Sequence, residues 1–255
     1  MDISRFITES DGAVSFEETQ ASAFAKGVAG DFNPIHDPQS KRFCVPGDLL
    51  FSVLLHRYGA ARHTRVQFSG MLDGKTRMLL PPAVDGQADI TDARDRALLS
   101  LSLDGERFTD QSFIAQLCEQ YVRFSGQTFP DVLVPLMRSA ETMINPARPM
   151  VIYRNMSIDL EDSAVALFVD SADGQLARLR DTIDGQLTLE LADSDISVDG
   201  RKGQVQLKFD IEVAGRTIGT GEKNLVLSGL REYDEAAMQV VVDEYNQRRH
   251  AYQGV

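Results

Sequence analysis

The chain is poor in cysteine, histidine and basic charge, and it contains no long apolar run. Two cysteines, Cys44 and Cys118, cannot build a disulfide framework, and both sit in apolar surroundings, which predicts reduced, buried thiols. Four histidines show no zinc-ligand spacing with those cysteines, so no metal site is expected. Lysine and arginine number 26 against 38 aspartates and glutamates, giving a net charge of −12. That balance excludes a nucleic-acid surface, because a phosphate backbone needs a basic footprint. It also disfavours an anionic membrane. An anionic small molecule stays open, since it needs only a local cluster of Arg and Lys. No stretch approaches the roughly 18 apolar residues of a membrane span. Met1–Arg5 lacks the apolar core of a signal peptide. A soluble, cytoplasmic protein is expected.

What the chain does have is an ordinary globular composition. At 255 residues, 43% hydrophobic and 25% charged, it can form one large packed domain or two smaller ones. Ser15 and Glu18 carry the spacing of a capping box, and Phe16, Ala23, Phe24 and Val28 share a face, predicting a helix over 16–28. Gly30 ends it and Pro34 prevents its return. A second helix follows Pro46, with Leu49, Leu50, Val53, Leu54, Leu55 and Tyr58 apolar on nearly every side, the mark of a helix buried on most of its surface. Strand-like runs come next at 64–71, 76–80, 87–91 and 97–103.

The outline then repeats. A helix over 113–124 carries Phe113, Leu117, Tyr121 and Phe124 on one stripe and is expected to stop at Ser125-Gly126. Phe129-Pro130-Asp131-Val132-Leu133 enters another apolar helix much as Val45-Pro46-Gly47-Asp48-Leu49 enters the first. Strands are expected at 150–160, 164–169, 185–192, 204–213 and 217–227, and a polar helix at 234–250. Gly219-Thr220-Gly221 reads as a strand bulge rather than a phosphate loop. The two copies of helix-then-meander predict an α+β fold built from a duplicated module, with a first unit over 1–108 and a second over 109–255.

The densest chemistry lies in Gly30-Asp31-Phe32-Asn33-Pro34-Ile35-His36-Asp37. Asp31 and His36 flank a turn broken by Pro34, which can aim both side chains at one point. A carboxylate beside an imidazole is a general acid/base pair, and Asn33 can fix the loop or hold a water. Gly47, at the start of the buried helix, offers free N–H groups and the positive end of a helix dipole to a polarised carbonyl oxygen. That set can add water to a carbon–carbon double bond or remove it. The same letters also suit a plain helix-terminating turn, with Asp31 and Asn33 making side-chain-to-backbone bonds and His36 capping. Both readings stay open on the residues alone.

Residues 24–36, with the Gly-Asp-x-Asn-Pro-aliphatic-His core, and Val45–Leu50 after them resemble the MaoC-like (R)-specific enoyl-CoA hydratase family. An uncharacterised bacterial family carrying the GDFNPIHD and FCVPGDLLF blocks is similar too. The resemblance covers roughly 20–72 at the level of motifs. It implies a hotdog fold, a long helix wrapped by an antiparallel sheet, here as a double hotdog. It implies catalytic positions at Asp31 and His36, with Asn33 in support and Gly47 at the oxyanion. The substrate it implies is a small-molecule acyl thioester (a CoA or carrier-protein thioester), with no separate cofactor, and an enzyme on this pattern is a lyase. Pro46 replaces the histidine usual before the helix-entry glycine, and Asp48 stands where a small or apolar residue is usual. In the second copy Ser125-Gly126-Gln127 takes the place of Gly30-Asp31, so any dyad belongs to the first. A non-catalytic acyl or metabolite binder and a thioesterase are the alternatives.

Other candidates are weaker. Lys41 and Arg42, and the cluster Arg57, Arg62, His63 and Arg65, are basic enough to meet a phosphate, though solvated surface charge is the ordinary state. His56 is expected in the core or at an interface, and His63 in a basic loop. A monomer and a homodimer both suit two fused copies.

Overall fold

The computed structural model describes residues 1–168 and 187–252. It is an α+β structure whose centre is a ten-stranded, wholly antiparallel sheet. The strands are β1 (Thr8–Ser10), β2 (Ala13–Ser15), β3 (Ala60–Phe68), β4 (Arg77–Leu79), β5 (Gly86–Thr91) and β6 (Ala97–Phe108). After them come β7 (Thr142–Met143), β8 (Val151–Leu160), β9 (Leu187–Asp199), β10 (Lys202–Val213), β11 (Arg216–Ser228) and β12 (Arg231–Glu232). The sheet order is β1-β2-β4-β5-β6-β3-β8-β11-β10-β9, while β7 and β12 form a small separate pair. Early and late strands meet at β3 and β8, where His63 to Gln67 pair with Asp159 to Asn155.

Six α-helices stand among the described residues: α1 (Glu18–Phe24), α2 (Gly47–Tyr58), α3 (Gln111–Gly126), α4 (Leu133–Ser139), α5 (Asp162–Phe168) and α6 (Glu235–Ala251). Asp48 to Leu55 of α2 are all buried, as a helix apolar on every side requires. Pro46 caps α2 at its start, and Gly59 ends it at φ 74°, a left-handed conformation that a side chain would strain. Together α2 and α3 cover one face of the sheet and share its main core. Leu49, Phe51, Leu54, Leu117 and Tyr121 pack against Val66, Leu101, Met156, Ile158 and Phe209. A smaller core lies beneath α4 and α6, around Met137, Leu207, Leu227 and Met238.

Several local expectations shift. The first helix begins at Glu18, not residue 16, and its N-cap Glu17 makes no side-chain capping bond, so the Ser15–Glu18 capping box does not form. Ser15 is instead recruited into β2, where strand pairing takes its backbone. The helix closes in a π turn over Ala25–Ala29. Ser125 and Gly126 do not stop α3 but form its last turn, because Gly126 packs on the backbone of Ala29, where a side chain has no room. Residues 164–168, read as a strand, belong to α5. The helix after Phe129 is the short α4, whose own apolar face needs the smaller core. Of the strand expected over 185–192, residues 185 and 186 lie outside the described residues. Gly219 sits next to an irregularity in the β10–β11 register, and Gly221 lies opposite Phe209, whose ring occupies the space a side chain would take. His63 is in β3 and not in a loop, with its Nδ1 2.7 Å from Asp159.

Candidate functional site

The π turn and Gly30, at φ 70°, swing the chain out of α1 so that the Asp31 N–H reaches back to the Ala25 carbonyl at 2.8 Å. The two oxygens of Asp31 then divide their work. Oδ1 accepts from the Asn33 N–H at 2.9 Å, while Oδ2 lies 3.4 Å from His36 Nε2. Asn33 Oδ1 in turn accepts from the Ile35 N–H at 3.3 Å and caps the 3-10 turn Pro34–His36. Asn33 therefore uses its side-chain oxygen on the loop itself. Both readings of this stretch hold at once: it is an Asx-type turn, and it brings a carboxylate to an imidazole.

His36 is buried, and its Nδ1 is 2.7 Å from the Cys44 carbonyl oxygen. A carbonyl can only accept, so Nδ1 carries a proton and Nε2 is the nitrogen presented to Asp31. Burial works to lower the His36 pKa. Hydrogen bonding and charge from Asp31, with the Cys44 carbonyl and Asp48 behind them, outweigh it and raise the pKa above 6.5. Two consequences are measurable. His36 is expected to titrate above 6.5 when its ring nitrogens are followed by NMR, and Asp31→Asn to lower that value. Because the folded value is the higher one, the stability His36 contributes is complete below its unfolded pKa and is lost as pH rises through the folded one.

Helix α6 clasps this loop. The Tyr245 hydroxyl donates to the Gly30 carbonyl at 3.1 Å and accepts from the Phe32 N–H at 3.2 Å. Phe32 packs edge-on against Tyr245 and Tyr252, and Arg248 pairs with Asp37 at 3.2 Å. The closing helix, read from sequence only as polar, thus holds the motif in place.

Asp31, Asn33, His36 and Gly47 all line one cavity of about 420 Å³. Its walls are largely apolar, including Leu50, Phe68, Leu72, Phe129, Val151 and Leu225. Gly47 is the first residue of α2, so its N–H has no intrahelical acceptor. Lys41, Arg42, Arg57, Arg62, His63 and Arg65 do not line the cavity. Arg57 pairs with Glu9, Arg62 with Asp162 and Glu106, and His63 and Arg65 with Asp159. Among the described residues, the exposed cations that do line it are Arg154, Lys202 and Arg248. His56 is half-buried on α2 and its Nδ1 is 2.9 Å from the Ser52 carbonyl oxygen, while Cys44 and Cys118 are buried thiols that burial pushes up to about 12.

Asp48 does not point into solvent at the start of α2. It is buried, and its Oδ1 accepts from Ser125 Oγ at 2.8 Å and from Lys223 Nζ at 3.1 Å. Lys223, fully buried on β11, also donates to the Tyr121 carbonyl at 2.9 Å and to Ser125 Oγ, and stands 3.8 Å from the Tyr121 ring centroid. Asp48 therefore does not leave an uncompensated negative charge at the start of α2. Sequence reading missed Lys223, though one signal was present: a lysine at an inward position of the β11 alternation between Gly221 and Leu225.

A family model described as "Protein of unknown function (DUF3581)" matches residues 1–236. The chain belongs to that family. Among solved structures it is similar to an acyl-CoA thioesterase II TesB2 from Mycobacterium marinum, at 11% identity and a TM-score of 0.42, over 91% of this chain and 99% of that one. A protein titled "MaoC-like dehydratase" is similar at 10% identity and a TM-score of 0.38, over 89% of this chain and 99% of the other. No curated protein matches. Among the described residues no helix is long and apolar enough to cross a membrane.

Proposed function

We propose that this DUF3581 protein is a double-hotdog hydratase, with units over 1–108 and 109–255, that adds water to a 2-enoyl thioester. The observation that carries the reading is the 3.4 Å approach of Asp31 Oδ2 to His36 Nε2 on the wall of a cavity that also holds Gly47. Water held between the two groups gives a proton to Asp31 as its oxygen bonds to the β-carbon. The electrons of the double bond move toward the thioester oxygen, which the Gly47 N–H receives at the positive end of α2. His36, whose protonated form Asp31 favours, delivers a proton to the α-carbon, and proton transfer from Asp31 restores it. Asn33 holds the Asp31 carboxylate in place through its backbone N–H. The apolar walls suit an acyl chain, and Arg154, Lys202 and Arg248 suit the phosphates of a CoA carrier.

The test is to incubate the protein with short, medium and long trans-2-enoyl-CoAs and follow loss of the enoyl absorbance. Turnover of at least one chain length is expected. Inactivity on all of them overturns the hydratase reading. A second reading, a non-catalytic acyl-CoA binder, is favoured by the use of Asp31 Oδ1 and Asn33 in the turn itself. It predicts a rise in melting temperature with acyl-CoA and no turnover. Release of free thiol instead of hydration would mark a thioesterase.

A further inference from the structure

The inward residues of β8 are set by Met156, Ile158 and Leu160, all buried against the main core. Strict alternation continued along the strand would turn Arg154 inward and Tyr153 outward. It does not continue. Opposite β11 the register slips, Asn224 pairing with Asn155 and Leu225 with Tyr153, so Arg154 is the extra residue of a bulge. The bulge leaves Arg154 exposed and turns Tyr153 to the face that packs on the cores. There Tyr153 lines the cavity and packs directly on Gly47: a Cβ added at Gly47 would lie 2.7 Å from Tyr153 Cδ2.

Its surroundings hold the ring in place and keep the phenol neutral. Ser125, fixed by Asp48 and Lys223, is its polar neighbour, and Lys223 Nζ lies 5.7 Å from the ring centroid. Burial above all, and then the Asp48 and Asp31 carboxylates, push the phenol well above its ordinary value, with the Ser125 hydroxyl opposing them. A neutral phenol is a hydrogen-bond donor, and the ring that carries this one lies against Gly47 on the wall of the cavity that Ser125 also lines.

We propose that the Tyr153 hydroxyl donates a hydrogen bond to the substrate's thioester carbonyl beside the Gly47 amide, so that the second half of the chain completes the site carried by the first. The proposal rests on the reading of the cavity as an acyl-thioester site, and it extends that reading by one catalytic residue. It also gives Gly47 a reason to be glycine, since any side chain there would displace the ring.

The experiment is Tyr153→Phe, which keeps the ring on Gly47 and removes only the hydroxyl. Two measurements are made: hydration of trans-2-enoyl-CoA, and the carbonyl stretch of bound butyryl-CoA labelled with a heavy isotope at the thioester carbonyl. The variant is expected to melt close to wild type and to lose about 100-fold in kcat with KM little changed. Its bound carbonyl stretch should move toward the value in water. If rate and stretch both match wild type, the proposal falls while the hydratase reading stands. If wild type binds without turnover and the variant still shifts the stretch, the carbonyl donor stands and the hydratase reading falls. If wild type neither binds nor hydrates, both fall together.

Discussion

Asp31→Asn is expected to lower the hydration rate by about 10²–10⁴-fold, the range for removing a positioned acid or base. The substitution is clean because an asparagine oxygen can still accept from the Asn33 N–H, so the turn survives while the base is lost. His36→Ala is expected to cost a similar factor. The double variant should be little worse than either single one, because the two groups act as a unit on one water. Melting temperatures check that the loop still folds. Activity near wild type in either single variant would remove the dyad from the mechanism and leave the turn as a structural device.

Lys223→Met should cost about 3–5 kcal/mol of folding stability, because it strands the Asp48 carboxylate in the interior without its counter-charge. Asp48 and Lys223 have side-chain exposures of 3% and 0%, so water cannot compensate. Adding Asp48→Asn is expected to recover most of the loss, since the buried charge disappears with its partner. Denaturant unfolding of the two variants measures both terms, and a single variant as stable as wild type would show that the pair is not a buried charge pair. A pH signature accompanies it. Burial, against the opposing pull of Asp48, lowers the Lys223 pKa from 10.5 to about 8. Between those values the unfolded chain binds more protons than the folded one, so this residue's contribution makes stability rise with pH across that window. The double variant should lack the rise.

The approach of Asp31 to His36 was legible because everything that forms it is local. Gly30 and Pro34 break the helix, Asn33 caps the turn, and Asp31 and His36 meet across it within a few residues of chain. The buried α2 was legible for the same reason, since its apolar residues leave no face for solvent. The helix ends were less so. Whether Ser125-Gly126 ends α3 depends on Ala29 lying against it, and whether residues 164–168 are strand or helix depends on neighbours distant in sequence.

Asp48 marks the boundary between the two kinds of knowledge. From sequence it was a carboxylate where the resembled family has a small or apolar residue. Its partner Lys223 is 175 positions away and reaches it only because the inward alternation of β11 runs beneath the start of α2. Tyr153 enters the cavity through a bulge that is a property of two paired strands, and α6 clasps the motif loop through Tyr245 across 215 positions. The sequence by itself determined the turn chemistry, the buried helix and the candidate acid–base pair, because short-range sterics and periodicity dictate them. Only the tertiary structure decided what surrounds that pair, because side chains far apart in the chain become neighbours through strand register and packing, which no local pattern encodes.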